Sequence, residues 1–339
     1  MSSSKARLML GALAAVIAAP AFAQGEINLY SSRHYDTDEA LYADFTAATG
    51  ITVNRIEGND DELLARIEAE GANSPVDVFI TVDTSRLVRA KDRGIFQPVD
   101  SAVLEARIPA YLQDSDNQWF GFSQRARIFF YDKTELADPP RTYADLADPR
   151  FKGQICIRSS TNTYNQTLLA SIIAHAGEEA ARAWAQGVVD NMAREPQGGD
   201  TDQLKAIVSG ECDIAVSNTY YFARAIRTSV DGLSDHLGMF GWVFPDQGGN
   251  GTHVNISGAG VAANAPNRDN AILFLEYLAG DAAQEHFSAG NDEYPAVPGV
   301  GLSPSVAELG LFRSDAIALS DVAANLDTAV QIFNEVGWK

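Results

Sequence analysis

Positive charge is scarce in this sequence. Its 339 residues include 25 Lys and Arg against 45 Asp and Glu, which gives a formal net charge of −20 and a pI near 4.5. Binding to nucleic acid requires a basic face, and docking on anionic lipid requires clustered cations. We therefore expect no nucleic-acid partner. The acidity would suit a cationic ligand, but net charge alone does not select one.

Apolar runs of membrane-spanning length are missing. The N-terminal apolar stretch, residues 8–19, follows Lys5 and Arg7 and precedes the small-residue sequence Ala21-Phe22-Ala23. This order is typical of a secretory signal peptide, and the stretch is shorter than the ~20 residues of a transmembrane anchor. We predict a signal peptide over residues 1–23, cleavage after Ala23 and export of the mature protein.

Cysteine is nearly absent as well. The sequence contains Cys156 and Cys212 but no C-x-x-C motif, which disfavours a redox motif or a thiolate zinc site. Disulfides persist in exported proteins, and each cysteine precedes a strand-like run that could lie in a neighbouring parallel strand. We expect a disulfide between Cys156 and Cys212. Two buried free thiols are the alternative.

The signatures of several common enzyme classes are also missing. The sequence has no G-x-S-x-G nucleophile motif, no Walker P-loop and no G-x-G-x-x-G after a strand. Its histidines lack the spacing of an H-x-x-x-H metal site. We predict a binding protein rather than an enzyme.

Strand-like and helix-like segments alternate along the chain. Residues 26–31, 51–56 and 76–80 have strand patterns, and each is followed by a helix pattern. This order builds a parallel sheet with helices on both faces. Residues 121–131 are expected to form one long strand and residues 321–336 a final amphipathic helix. The predicted class is α/β, with mainly parallel sheets flanked by helices.

The alternation occurs in two halves, which predicts two lobes that enclose a cleft. We assign residues 24–123 and 245–300 to an N-lobe, residues 124–244 to a C-lobe, and residues 301–339 to a helical segment packed on the lobes. Ligands of open α/β sheets bind beyond the carboxyl ends of the strands. Residues that follow strands are therefore the most informative about function.

Four tyrosines occupy such positions. Tyr35 follows the first strand, Tyr164 precedes a helix near the middle of the chain, and Tyr220 and Tyr221 follow a strand and open a helix. A single tyrosine is usually a packing residue, but four at strand-to-helix turns favour a shared role. Phenols have a pKa near 10 and are poor general acids or bases. They are hard oxygen donors that suit a highly charged cation such as ferric iron once it displaces their protons.

Several motifs carry a resemblance to a known family. They are SSRHY at 31–35, NTYY at 218–221, HVNISGAG at 253–260, DVF at 77–79 and YP at 294–295. In this order they resemble the periplasmic ferric-iron-binding proteins of ABC transporters, over essentially the whole mature chain. The resemblance implies a two-lobed type II periplasmic binding fold, a periplasmic location and a monomer.

The same resemblance implies a cargo and its ligands. The family binds Fe(III) in the interlobe cleft, closes, and delivers the metal to a permease in the inner membrane. Tyr220 and Tyr221 match the paired tyrosine ligands of the family, and Tyr35 and Tyr164 match further tyrosines of its tyrosine-rich branch. Tyr35 would come from the N-lobe and the other three from the C-lobe.

The sequence departs from part of that family. Some members place a glutamate ligand after the third strand, where this chain has Val82 beside Asp83, and this favours the tyrosine-rich branch. Some members use a histidine where this chain has His34. Neighbours on an extended segment point to opposite sides, so we favour Tyr35 and keep His34 as the alternative.

Two arginines are candidates for balancing the negative charge of the phenolates, namely Arg125 and Arg224. Arg125 is also a candidate for holding a synergistic anion such as carbonate. The alternative for each arginine is an ordinary surface salt bridge.

The second candidate function is a binding protein of the same fold for an organic solute, such as a polyamine or a thiamine-like cation. Organic ligands are usually held between aromatic walls, which Trp119, Trp184 or Trp242 could supply. A third candidate is a sensor subunit with the same site and another partner. A metal site requires tyrosine oxygens that converge, whereas a site for an organic ligand requires ring faces on which the ligand can stack. This difference discriminates between the two functions.

Overall fold

The computed structural model describes residues 25–33 and 35–339, so the predicted signal peptide and His34 lie outside the described residues. The strands within this part are β1 (Gly25–Ser31), β2 (Ile51–Glu57), β3 (Val78–Thr81), β4 (Phe120–Asp132), β5 (Ile155–Cys156), β6 (Ile214–Asn218), β7 (Phe240–Val243), β8 (Val254–Val261) and β9 (Tyr294–Pro295). The first helices are α1 (Asp38–Thr49), α2 (Asp60–Glu70), α3 (Thr84–Asp92), α4 (Ala102–Arg107), α5 (Thr163–Ala176), α6 (Glu178–Asn191) and α7 (Asp200–Val208). The later helices are α8 (Thr219–Arg227), α9 (Arg268–Leu278), α10 (Asp281–Asn291), α11 (Pro304–Leu309), α12 (Leu319–Ala323) and α13 (Leu326–Glu335).

The strands form one continuous hydrogen-bonded path in the order β2-β1-β3-β8-β4-β6-β5, with β7 and β9 also paired to β4. Strand β1 is parallel to β2 and β3, and β5 is parallel to β6, each with helices following as predicted. The two long strands between them, β4 and β8, are antiparallel to each other and to their other neighbours. Apolar alternation does not encode strand direction, so the sequence did not indicate this antiparallel centre.

Strand β4 passes from one half of the molecule to the other. Its first residues pair with β8, from Phe120 to Ala126, and its later residues pair with β6, from Arg127 to Tyr131. The predicted long strand over 121–131 is therefore confirmed. Its length has a reason: the strand belongs to the sheets of both halves.

The hydrophobic residues divide into separate cores on the two sides of this crossing. One cluster joins residues from 27–122 with residues from 256–319, and it includes Phe45 and Phe274 with ring centroids 5.0 Å apart. The other half has a cluster on each face of its sheet. Phe129 packs into one and Phe130 into the other, because neighbouring residues of a strand point to opposite faces.

Local sequence signals explain where helices begin and end. The Asp83 side chain accepts a hydrogen bond from Ser85 N at 2.8 Å and begins α3, and Asn162 does the same for Tyr164 N at 3.1 Å in α5. Gly50 ends α1 in the left-handed conformation, with φ of 75°. No helix of the described residues is long and apolar enough to cross a membrane.

The predicted single helix over 321–336 is wrong in one respect. The structure has two helices there, α12 and α13, separated at Ala324 and Asn325. The Asn325 side-chain amide donates to the Asp321 carbonyl oxygen at 2.9 Å. Asparagine side chains compete in this way with backbone hydrogen bonds and interrupt helices, although the apolar periodicity continues across the break.

The predicted disulfide between Cys156 and Cys212 is present. Cys156 lies in β5, and Cys212 lies just before β6, with their Cα atoms 5.9 Å apart. The parallel pairing of β5 with β6 brings the two cysteines together. The bond thus ties the strands that precede α5 and α8.

Candidate metal centre

Three of the four predicted tyrosines lie at the amino ends of two neighbouring helices. Tyr164 is in the first turn of α5, rather than ahead of the helix as its sequence position suggested, because α5 begins at Thr163. Tyr220 and Tyr221 are in the first turn of α8, directly after β6. The amino end of a helix carries partial positive charge, which stabilises nearby anionic oxygen.

The hydroxyl groups of these tyrosines converge. The Tyr164 and Tyr220 oxygens are 3.2 Å apart and share a hydrogen bond. The rings of Tyr220 and Tyr221 lie side by side, with centroids 4.1 Å apart. Tyr220 is buried, whereas Tyr164 and Tyr221 are half-buried. The Tyr164 and Tyr220 oxygens therefore meet, and the Tyr221 ring packs against that of Tyr220.

Tyr35 lies between β1 and α1 and is half-buried. Its hydroxyl donates a hydrogen bond to Glu293 Oε1 at 3.2 Å, and the Arg33 guanidinium carbon lies 4.8 Å from its ring centroid. Burial and then the Glu293 charge raise the pKa of Tyr35, with Arg125 and Arg33 acting against them and Tyr164 adding to the rise. Glu293 Oε1 lies 3.7 Å from Arg125 Nη1, and the Arg125 guanidinium carbon lies 5.8 Å from the Tyr220 ring centroid, so these two side chains connect Tyr35 to the other tyrosines.

The paired tyrosines also favour their protonated forms. Burial raises the pKa of Tyr220, and the neighbouring Tyr164 and Tyr221 raise it further. Burial and then Asp200 raise the pKa of Tyr221, against the effect of Arg158. These phenols are neutral near pH 7, so a metal that binds their oxygens must displace protons.

Arg125 projects from β4 towards the tyrosines. Its guanidinium carbon lies 5.8 Å from the Tyr220 ring centroid, and Nη2 donates to Ser257 Oγ at 2.7 Å. Burial acts against its charge, but Glu293 and the phenols outweigh burial and raise the pKa of Arg125. Its Nε and Nη1 atoms are buried without a hydrogen-bond partner among the described residues. Charged donors of this kind suit an anion.

A second arginine of β4 was missed by the sequence reasoning. Arg127 is two residues after Arg125, on the same face of the strand, and its guanidinium carbon lies 5.8 Å from the Tyr164 ring centroid. Its Nη1 donates to Asp200 Oδ2 at 2.9 Å. Arg158 was missed too and lies 5.6 Å from the same ring. The R-x-R alternation on a predicted strand is the signal that could have indicated Arg127, because alternate residues of a strand share a face.

Arg224, the other predicted arginine, is also close to the site. Its guanidinium carbon lies 5.5 Å from the Tyr220 ring centroid, one turn along α8. Its Nε atom lies 3.8 Å from Asp292 Oδ2, so a protein carboxylate already shares its charge. Arg125 likewise lies 3.7 Å from a carboxylate, Glu293 Oε1, but its side chain is fully buried whereas that of Arg224 is 35% exposed, so water screens the charge of Arg224 more.

Carboxylates take structural roles around this site. Asp83 is buried, begins α3 and accepts a hydrogen bond from Asn255 Nδ2 at 2.7 Å, so its oxygens are used within the fold. Among residues 25–33 and 35–339, no three or more His, Cys, Asp or Glu side chains are arranged to hold a metal ion.

A family model for bacterial extracellular solute-binding proteins matches residues 73–308. The chain belongs to this family. It is 52% identical over 320 residues to iron uptake protein A1 of Synechocystis sp., covering 93% of this chain and 88% of that relative. Such proteins are binding components and not enzymes, and the family includes the binding subunits of ABC transporters, as predicted.

Solved structures of the family share the fold. A Trichodesmium IdiA/FutA protein in complex with iron and citrate is 50% identical, with a TM-score of 0.90, covering 93% of this chain and all of that one. The ferric-binding protein of Campylobacter jejuni is 42% identical, with a TM-score of 0.84, covering 92% of this chain and all of that one. The predicted two-lobed periplasmic binding fold is confirmed.

Proposed function

We propose that this solute-binding protein captures Fe(III) for an ABC importer, using tyrosine phenolates as ligands. The observation that carries the proposal is the 3.2 Å approach of the Tyr164 and Tyr220 hydroxyl oxygens, with Tyr221 packed beside them. Hard phenolate oxygens suit a hard, highly charged ion. The named relatives support the same cargo, since they are called iron uptake and ferric-binding proteins.

The ligand set in this proposal is Tyr35, Tyr164, Tyr220 and Tyr221. The raised pKa values of Tyr35, Tyr220 and Tyr221 mean that loading releases protons, and iron binding weakens as the pH falls. His34 remains the alternative to Tyr35.

Arg125 would balance the phenolate charge or hold a synergistic anion such as carbonate through its unpartnered donors. The iron and citrate ligands of the Trichodesmium relative support an anion beside the metal. Arg224 would contribute less, because its side chain is 35% exposed and water screens its charge.

Capture would proceed by closure of two lobes. Tyr35 belongs to the predicted N-lobe, over residues 24–123 and 245–300, and the other tyrosines belong to the predicted C-lobe, over residues 124–244. The separate cores on either side of the β4 crossing support this division. Bonds from both lobes to one ion favour the closed form, and a permease in the inner membrane would favour the open form. We propose that the chain acts as a periplasmic monomer, with residues 1–23 removed.

An organic cation fits the cleft less well. Trp119 and Trp184 pack in the hydrophobic cores, and Trp242 packs against Phe222 and donates its ring N–H to the Leu309 carbonyl oxygen. These rings are used in the fold. Buried guanidinium groups at Arg125 and Arg127 would also repel a polyamine or a thiamine-like cation, whereas phenolates and an anion would offset their charge.

The decisive experiment is a visible absorption titration of the purified mature protein with Fe(III)-nitrilotriacetate. We expect a tyrosinate-to-iron charge-transfer band that saturates at one iron per chain. A protein that stays colourless through the titration would reject the proposal, and the matched titration with a polyamine would then test the organic alternative.

A further inference from the structure

Two consecutive acids, Asp292 and Glu293, are completely buried between α10 and β9. Buried carboxylates are rare unless they are paired, because removing their charge from water is costly. Neither residue was indicated by a motif or by apolar periodicity. Their contacts differ, and each is directed at a different part of the tyrosine cluster.

Glu293 contacts the segment that carries Tyr35. It accepts hydrogen bonds from the Tyr35 hydroxyl at 3.2 Å and from Ser123 Oγ on β4. Its carboxylate also lies 3.8 Å from Arg33 Nη1 and 3.7 Å from Arg125 Nη1. It therefore contacts the predicted N-lobe ligand and partners the charge of the arginine that faces the cleft.

Asp292 contacts the helix that carries the paired tyrosines. It accepts two hydrogen bonds from Arg227 of α8, Nε to Oδ1 at 2.8 Å and Nη2 to Oδ2 at 2.7 Å. Arg224 Nε, on the same helix, lies 3.8 Å away. A planar pair of this kind fixes orientation as well as distance. Asp292 thus anchors the helix whose first turn contains Tyr220 and Tyr221.

The position of the two acids in the fold allows this double contact. Asp292 ends α10 in the left-handed conformation, with φ of 62°, so the chain turns sharply between the two side chains. Strand β9 then pairs with Ser123 and Gln124 of β4. These residues lie where β4 passes from the core that contains Phe122 to the core that contains Ala126.

We propose that Asp292 and Glu293 are positioning residues for iron capture, which set the placement of Tyr35 relative to Tyr220 and Tyr221. Glu293 holds the protonated Tyr35 in the iron-free protein, lies 3.7 Å from Arg125 Nη1, and gives up the Tyr35 hydrogen bond when the metal displaces that proton. Asp292 fixes α8. Because Asp292 and Glu293 are adjacent in the chain, a movement of one residue also displaces the other. This inference rests on the proposed iron-binding function.

The test compares Glu293→Gln with Glu285→Gln, an exposed position on α10 that undergoes the same chemical change. Affinity is measured by competition with nitrilotriacetate, and the charge-transfer band is recorded for each protein. We expect Glu293→Gln to bind Fe(III) about 10- to 100-fold more tightly with a shifted band, because the Tyr35 phenolate no longer faces a carboxylate and hydrogen bonds to charged groups have effects of that size. Glu285→Gln should match the wild type. Equal affinity and equal bands in both variants would overturn the proposal.

A double variant separates positioning from a general charge effect. In the Tyr35→Phe background, Glu293→Gln should change the affinity less than about 3-fold, because the residue through which it acts is already altered. If the full change in affinity persists in that background, Glu293 does not act through Tyr35 and the proposal fails.

Replacing the buried Asp292 can unfold the protein. Its contact with α8 is therefore tested by changing its more accessible partner, Arg227. Arg227→Gln leaves the buried Asp292 in place and breaks its pairing with α8. We expect faster iron release with an unchanged near-ultraviolet circular dichroism spectrum, and an unchanged release rate would contradict the role of Asp292. A wild-type protein without a charge-transfer band would instead reject the proposed function, so the two failures are distinguishable.

Discussion

The two sides of the tyrosine cluster are built differently. On the C-lobe side, Tyr164, Tyr220 and Tyr221 lie at the amino ends of α5 and α8, and the preceding strands are joined by a disulfide. On the other side, Tyr35 stands alone between β1 and α1 and donates its hydroxyl to Glu293. A metal would meet a group of oxygens on the first side and a single oxygen on the second. Under the proposed function, iron would dock first on the predicted C-lobe side, and Tyr35 would complete the shell on closure.

The largest expected effect on iron affinity comes from removing phenol hydroxyls, either those of Tyr220 and Tyr221 or that of Tyr35. We expect Tyr220→Phe/Tyr221→Phe to abolish Fe(III) binding and the visible band, because two clustered oxygens are lost while the rings still pack. Tyr35→Phe should keep a visible band with lower affinity, because the C-lobe oxygens remain. Competition with nitrilotriacetate measures both.

Thermal unfolding serves as the control, since all three proteins should melt at similar temperatures without iron. The comparison would be wrong if Tyr35→Phe lost the band completely while the double variant kept it.

The second-largest effect is expected from removing the disulfide, which lies on the predicted C-lobe side and stabilises the fold. It closes a loop with a sequence separation of 56 residues between Cys156 and Cys212. Loop closure of this length stabilises a protein by about 2–4 kcal/mol. Cys156→Ala/Cys212→Ala should therefore lower the free energy of unfolding by that amount in urea titrations.

The iron stoichiometry of the same variant should stay at one per chain, because the helices that carry the tyrosines are also held by their packing. Loss of binding in a variant that remains folded would show that the disulfide, rather than the packing, positions the tyrosines.

The smallest effect concerns His253, which precedes β8 and is buried. Burial, and then the charges of Arg127 and His175, lower the pKa of His253 to about 3. The unfolded chain takes up a proton near pH 6.5 and the folded chain does not, so stability falls as the pH drops from about 6.5 towards 3. The slope from this group reaches about 1.4 kcal/mol per pH unit.

Urea titrations of the iron-free protein at pH 7.5 and pH 5.5 measure this slope. His253→Asn should reduce the pH dependence, and His236→Asn, at an exposed position, should leave it unchanged. An equal slope in the wild type and His253→Asn would mean that the acid sensitivity arises elsewhere.

Much of the fold was predictable because its signals are local. The β-α-β alternation of residues 25–92, the long strand over 121–131 and the start of α3 at Asp83 follow from periodicity and capping. The start of α5 was predicted too late, because Asn162 caps the helix and Tyr164 lies inside it. The antiparallel direction of β4 and β8 was not predictable, because a strand has the same alternation in either direction. The break at Asn325 depends on one side-chain hydrogen bond that periodicity does not report.

The candidate site was predictable in part. The four tyrosines were identified because each follows a strand, and the carboxyl ends of strands form the ligand edge of such sheets. Glu293, Asp292 and Arg158 were not identified. Asp292 and Glu293 are far from the tyrosines in sequence and approach the site only where the chain returns to it late in its path. Arg158 is six residues before Tyr164, but no motif indicated that it packs near that ring.

By itself the sequence determined which segments form helices and strands, because these depend on neighbouring residues. It also determined that two cysteines are available to pair, and which tyrosines place an oxygen donor near the end of a strand. Only the tertiary structure decided which residues hydrogen-bond to those oxygen donors and in which direction their pKa values shift. Burial raises the pKa of the phenols, and Glu293 pairs with Tyr35 across 258 positions of sequence. Burial and charge proximity depend on residues that are distant in the chain, and only folding brings those residues together.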